Sequence, residues 1–496
     1  MQKDDLFLTE KKASSQRLLQ YLRGLASVWI VTLAFICIGQ ETIDPVDEED
    51  DLVAKTGHMN FESPHSNPII VVPDQNLVFV TNTPADTVDV IDASTKEIFA
   101  RITVGVDPVA LAIRPDGKEL WVSNHVSDSI SVIDTDSESS TKFQVLHTIQ
   151  ALHPSRKFPL MDEPVGIAFV DNEWAYVALS SSNRIAKIKV DTRGIRQFLP
   201  VTAQDPRAIA VRDSRLYVIP FESNNQTQIS GCHPENLGID PLCTFDAIRH
   251  VVEATDGSDQ STSAGYVADI VRDPRIPDRD LYIFDTNTDV SVRNAPPLEV
   301  VNTLGTLLYG IAVDSEHRVY VAQTEARNDA NGKAGTEKHG LAELENRAFL
   351  NQITKVDCSG TECSEPAFFD LEPLPPDDPT EDIALATPFG IQISEDDETL
   401  IVTAAASSRV FTMDANSGEV LGRVEVGAIP RGLSLVSDED GVPISAWVLN
   451  ALENSVSLID LTDLNDPTLE TTIELVDPTE PELKLGRIAF NDAHAS

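Results

Sequence analysis

The sequence predicts an all-β fold assembled from seven copies of one four-stranded antiparallel unit, and three recurring features carry that prediction. A proline opens most of the short apolar runs, a polar turn joins such a run to a second strand, and a third strand ends in Asp. Residues 108 to 134 show the unit whole, PVALAIRPDGKELWVSNHVSDSISVID, with a PDG turn and a second strand that ends in Asn. Each piece alternates with period two or forms a short buried run, as strands do.

Residues 1 to 39 stand outside this pattern. Lys11, Lys12, Arg17 and Arg23 precede the apolar stretch GLASVWIVTLAFICIG at 24 to 39, which reads as an export signal. It is shorter than the ~20 residues of a spanning helix. Small residues at Cys37 and Gly39 suit cleavage before Gln40, and an uncleaved anchor at 24 to 39 is the alternative. Bulky Phe35 and Ile36 beside Cys37 argue against lipid attachment there. The expected location is extracytoplasmic: periplasm, cell surface or medium. An acidic linker fills 40 to 60.

The copies then open at Pro68, Pro108, Pro164, Pro206, near Tyr309, at Pro388 and at Pro430. Residues 280 to 288, DLYIFDTNT, fit either the second strand of an eighth copy or the third strand of the fourth. Asp285 followed by Thr-Asn-Thr matches the Asp-terminated ends VIDAST, VIDTDS and TMDANS, which favours a third strand and a count of seven. Outer segments such as EIFARITV at 97 to 104 supply the fourth strand. One such sheet cannot bury both faces, whereas seven packed face to face around an axis can, so the fold class is a seven-bladed β-propeller over residues 61 to 476. Two insertions interrupt it, at 222 to 278 and 324 to 350, and both fall where a propeller's second-to-third-strand loops reach the top face. Within the second, HGLAELENRAF at 339 to 349 has the spacing of an amphipathic helix.

With 80 acidic against 37 basic side chains the net charge is -43, which repels a phosphate backbone and sets nucleic acid aside as a partner. Apart from Cys37 the cysteines form two close pairs, Cys232 with Cys243 and Cys358 with Cys363. In an exported chain these read as two short-loop disulfides; metal ligation is the alternative, but neither pair has the two-residue spacing of a zinc knuckle or haem site.

The second-strand ends FVTN (79 to 82), WVSN (121 to 124) and WVLN (447 to 450), paired with V-x-x-ID, resemble the YVTN family of propellers. The resemblance implies the seven-bladed fold and says much less about function. Residues 485 to 496, LGRIAFNDAHAS, resemble the opening of the di-haem cytochrome c peroxidase-like modules that are fused to some such propellers, matching at Leu485, Gly486, Phe490, Asp492 and Ser496. That likeness implies a linker followed by the start of a truncated cytochrome c-like domain at 477 to 496, with haem c expected only in a missing downstream domain. This chain contains no CxxCH to hold haem itself.

The polar residues expected at the top-face channel mouth are Asn82, Asn124, His125, Asp128, Arg207, Glu325, Arg327 and Arg431. Arg207 and Arg431 follow the proline that starts an inner strand and suit an anion or carboxylate. Asn and Asp at such places also satisfy turn backbone. No GxSxG, HExxH, P-loop or complete calcium loop occurs; DTDSES at 134 to 139 and DTNTD at 285 to 289 lack the turn glycine and final glutamate, and no metal site is expected.

These readings point to an exported binding or scaffold module, with a protein or small-molecule ligand at the top face and a possible c-type cytochrome partner in extracytoplasmic electron transfer. Two rivals follow: a lactonase-like hydrolase, because the family resembles the seven-bladed lactonases, with Glu325 and His125 as nearest candidates; and a cell-surface recognition or adhesion protein.

Overall fold

A proline cannot donate to a strand ladder, so it suits the first residue of an edge strand. Pro108, Pro164, Pro388 and Pro430 each begin the innermost strand of a sheet. In the computed structural model the described residues are 63–229, 270–272, 276–327 and 347–493. The chain divides between Ala54 and Lys55, and all of these lie in the second unit. The signal or anchor, the linker at 40 to 60, the Cys232/Cys243 pair and most of both insertions lie outside the described residues. Among the described residues no helix is long and apolar enough to cross a membrane.

The strands form seven four-stranded antiparallel blades, each from one continuous stretch of chain. Blade 1 runs through Ile69–Val72, Leu77–Asn82, Thr87–Asp92 and Ile98–Thr103, and blade 7 through Pro430–Ser437, Pro443–Asn450, Ser455–Asp460 and Thr468–Glu474. Leu281–Asp285 pairs with Arg215–Glu222 as the third strand of blade 4. Blades 4 and 5 share one eight-stranded sheet, joined where Glu222 pairs with Leu307.

Each of the seven inter-blade interfaces holds an apolar cluster. One joins the last blade to the first: Trp447, Leu449, Val456 and Leu458 against Ile69, Val78, Val80 and Ile91. Burial of both faces of every sheet is the main stabilising term, and it is complete only in a closed ring.

Two details of the repeat have local causes. The P-x-G opening keeps glycine where inner strands crowd the axis: a Cβ on Gly432 would lie 2.3 Å from Pro68 Cδ, and one on Gly310 2.3 Å from the Phe389 carbonyl. The Asp that ends the third strand accepts from the following backbone. Asp92 takes Ser94 N–H at 2.8 Å and Thr95 N–H at 2.9 Å, and Asp414 takes Asn416 N–H at 3.0 Å. These bonds favour the ionised form and lower both carboxyl pKa values. DTDSES and DTNTD begin with the same cap, at Asp134 and Asp285. Cys358 and Cys363 form a disulfide after the third strand of blade 5.

Residues after blade 7 form helix α1, Pro481–Asn491. Arg487 is its buried residue and donates to the Leu452 carbonyl and Asp477, while Ile488 packs on Phe389, Ala405, Ile429 and Leu452. The segment expected to link to a haem module therefore packs onto the propeller, and Ala493 N–H reaches the Ala406 carbonyl at 2.9 Å.

Candidate functional site

Six inner strands slip in register near their start, while that of blade 1 pairs evenly. The slips leave Val109, Val165, Arg207, Tyr309, Phe389 and Arg431 outside the ladder in blades 2 to 7, joined in blades 3 and 6 by the glycine that follows. A bulge of this kind re-aims a side chain from the sheet face. In blades 2 and 3 the residue is a buried valine. In blades 4 to 7 the four larger residues converge on one top-face cavity of about 260 Å³, with Phe221 and Asn491.

Their contacts form a continuous row. The Arg207 guanidinium lies 3.8 Å from the Phe221 ring centre, Phe221 and Tyr309 stand 5.5 Å apart, Tyr309 and Phe389 5.0 Å, and the Arg431 guanidinium 5.3 Å from Phe389. Both cations thus meet aromatic faces, whose quadrupole attracts them. Arg207 pairs with Asp205 at 2.5 Å, and its buried Nε has no hydrogen-bond acceptor among the described residues. Arg431 donates to the Ser63 carbonyl and to Asn491 Oδ1, both at 3.1 Å.

Below the mouth, the inner strands of blades 3 to 7 and residues 65 to 67 line an axial channel of about 300 Å³. His65 is wholly enclosed there, with Nδ1 against the Ser63 carbonyl at 3.1 Å and Nε2 against Thr83 Oγ1 at 2.9 Å. Burial first, then the positive charge of Arg431, lowers its pKa to about 3, so the ring is neutral. Burial likewise raises the Tyr309 phenol.

Of the eight residues expected at the mouth, the structure brings Arg207 and Arg431 to this cavity. Asn82 and Asn124 are fully buried latches instead. Asn124 accepts from Gly105 N–H at 3.1 Å and donates to Ser129 and Ser131 at 3.1 and 3.0 Å; Asn450 repeats the pattern on Ser455 and Ser457, both at 2.9 Å. Asn82 ties the ring shut, donating to the Val476 carbonyl at 2.9 Å and accepting from Asn454 at 3.2 Å. Asp128 accepts from Glu163 N–H at 2.9 Å, bracing blade 2 against blade 3. His125 stands just past the second strand of blade 2, its backbone N–H on the Asp107 carbonyl at 2.9 Å. Glu325 accepts from Asn225 at 3.0 Å and Thr306 at 2.9 Å, and Arg327 donates to the Arg347 carbonyl at 3.1 Å, both at the root of the second insertion.

Sequence reasoning missed Tyr309, Phe389, Phe221, His65 and Asn491. Tyr309 and Phe389 occupy the repeat position of Arg207 and Arg431, so aligning the copies on their glycine or alanine would have found them. Among the described residues no group of three or more His, Cys, Asp or Glu is placed to hold a metal ion.

A family model described as "Lactonase, 7-bladed beta-propeller" matches residues 41–231. Among curated proteins no relative matches. Of solved structures, Kuenenia stuttgartiensis hydrazine synthase is similar with a TM-score of 0.55 and 18% identity, over 85% of this chain and 99% of that one. A chain in the complex of KlAtg21 with the coiled coil of AgAtg16 has a TM-score of 0.46 and 8% identity, over 82% of this chain and 98% of that one. Blade count, topology, the family model and the likeness to hydrazine synthase agree that the chain is a seven-bladed β-propeller.

Proposed function

We propose that this propeller is an exported binding module that holds a carboxylate-bearing ligand at its top mouth. The observation that carries the reading is the convergence of Arg207 and Arg431 on one cavity lined by three aromatic rings. Guanidinium groups recognise carboxylates by paired, charge-assisted hydrogen bonds, and an apolar wall with a few convergent polar groups is the usual form of a small-molecule site. The hydrolase reading draws less support. His125 belongs to blade 2 and Glu325 to blade 5, across the ring from each other, and Glu325 is already engaged by Asn225 and Thr306.

A thermal-shift screen of carboxylates and neutral compounds against the full chain and an Arg207→Gln/Arg431→Gln variant tests this reading. Carboxylate hits that vanish in the variant are expected. Hits indifferent to both arginines, or turnover of lactones that requires Glu325, would overturn it. A place beside a c-type cytochrome rests on the resemblance of residues 485 to 496, and co-purification of a haem protein with the native chain is the corresponding test.

A further inference from the structure

We propose that the mouth is built for an aryl carboxylate, one planar ring carrying one carboxylate; this rests on the binding reading above and narrows it. The aromatic row supplies the first reason. Phe221, Tyr309 and Phe389 follow one another at 5.5 and 5.0 Å between centroids, tilted by 61° and 35°. Those spacings fall in the range of favourable edge and offset ring pairs, and a flat ligand ring would extend the same pattern. A sugar or polyol would call for a wall made mainly of amides and hydroxyls; here Ala405, Ala406 and Ile429 stand beside the three rings, with Ser63, Thr387 and Asn491 as the hydroxyl and amide residues of the lining.

Charge and size give the second and third reasons. Arg207 already shares its guanidinium with Asp205, so the positive charge of the mouth is less than two arginines supply, which suits a monoanion better than a phosphate dianion. At Arg431 the Asn491 side-chain oxygen sits on Nη2 at 3.1 Å, where one oxygen of a ligand carboxylate would bind. The ligand's carboxylate exchanges with that amide and gains charge assistance in doing so. A cavity of about 150 Å³ holds benzene, so the roughly 260 Å³ here accommodates one substituted ring rather than a polycycle.

Titration calorimetry on the full chain compares trans-cinnamate, 3-cyclohexylpropionate and cinnamyl alcohol. Cinnamate is expected to bind tightest, the saturated acid about fivefold weaker and the alcohol about tenfold weaker or more. Phe389→Leu should abolish the preference for the aromatic acid while keeping the requirement for a carboxylate, and Arg431→Gln should do the reverse. Unchanged melting temperatures show that each variant is folded. Equal affinity for the two acids overturns the aryl assignment and leaves a carboxylate site. Cinnamate binding untouched by both substitutions places it elsewhere and overturns the proposal. If none of the three binds, arginine-dependent hits from the screen would mean that the ligand class is wrong but the mouth is a binding site; their absence would overturn both readings.

Discussion

The rim and the mouth of the top face are built from the same repeat by opposite rules. At the rim, where second strands end, Asn82, Asn124 and Asn450 are fully buried and their amides hold the chain that follows, Asn82 through Asp89. At the mouth, where inner strands begin, a register slip turns a residue near the strand start out of the ladder, and in four blades that residue is large and lines a cavity. Equal polarity in sequence therefore conceals unequal duty. A residue inside a regular ladder answers to the architecture, and one released by a bulge is available for chemistry.

The contrast breaks most sharply at the rim. Asn124→Ala would leave the Gly105 N–H and two buried serines without their partner, and a loss of about 4 kcal/mol is expected, with ligand affinity unchanged in the folded fraction. Denaturant unfolding of the variant measures the first and calorimetry the second. A loss below about 1 kcal/mol would mean that these amides are not structural.

Acid comes next and acts on the channel just below the mouth. His65 is neutral in the folded chain, with a pKa lowered from 6.5 to about 3 by burial and by the charge of Arg431, with smaller effects from Arg487 and His125. Below pH 6.5 the unfolded chain takes up a proton that the folded chain refuses, so this residue's share of stability is present above that pH and drains away as pH falls. Between pH 6.5 and 4 about 3 kcal/mol should be lost, and His65→Gln should flatten that slope. Asp280 works in the other direction. Burial and the neighbouring Asp278 raise its pKa, so it favours the fold at low pH and loses that contribution as pH rises through its folded value; Asp280→Asn should remove that loss.

Smaller effects sharpen the comparison. Arg431→Gln should weaken carboxylate binding about tenfold, or 1.4 kcal/mol, while moving stability less than the rim variant does. Asn491→Ala removes the amide that occupies Arg431, and a carboxylate should then bind about threefold tighter, as calorimetry can read.

Most of the fold was legible in the sequence because propeller blades repeat their turn chemistry. P-x-G, the Asn that ends strand two and the Asp that ends strand three each answer a local demand of backbone or packing, and each recurs. The site was legible only where charge marked it. Arg207 and Arg431 carry charge, whereas Tyr309 lies in a copy with Leu308 in place of the proline, and Phe389 is an apolar residue in an apolar strand. Alternation alone does not reveal a bulge, since the slip depends on how the next strand pairs. Asn82 and Asn124 read as ligand candidates because an amide at a strand end carries no sign of burial. Phe221 and Asn491 reach the mouth through tertiary packing that no repeat encodes.

Each blade is one continuous stretch of chain, so the ring closes without the first and last blades sharing a strand. The seam between blades 7 and 1 instead rests on an apolar layer, on Val71 N–H to Ser434 Oγ at 3.0 Å, and on Asn454 reaching back to Asn82 across 372 residues. In folding terms this contact is among the most distant in the chain, and its loop-closure entropy is met only when blade 7 exists. Until then two blade faces stand open to water, so the growing chain carries two sticky ends that a second copy could join. Completion of the ring is thus also what removes both open faces during assembly.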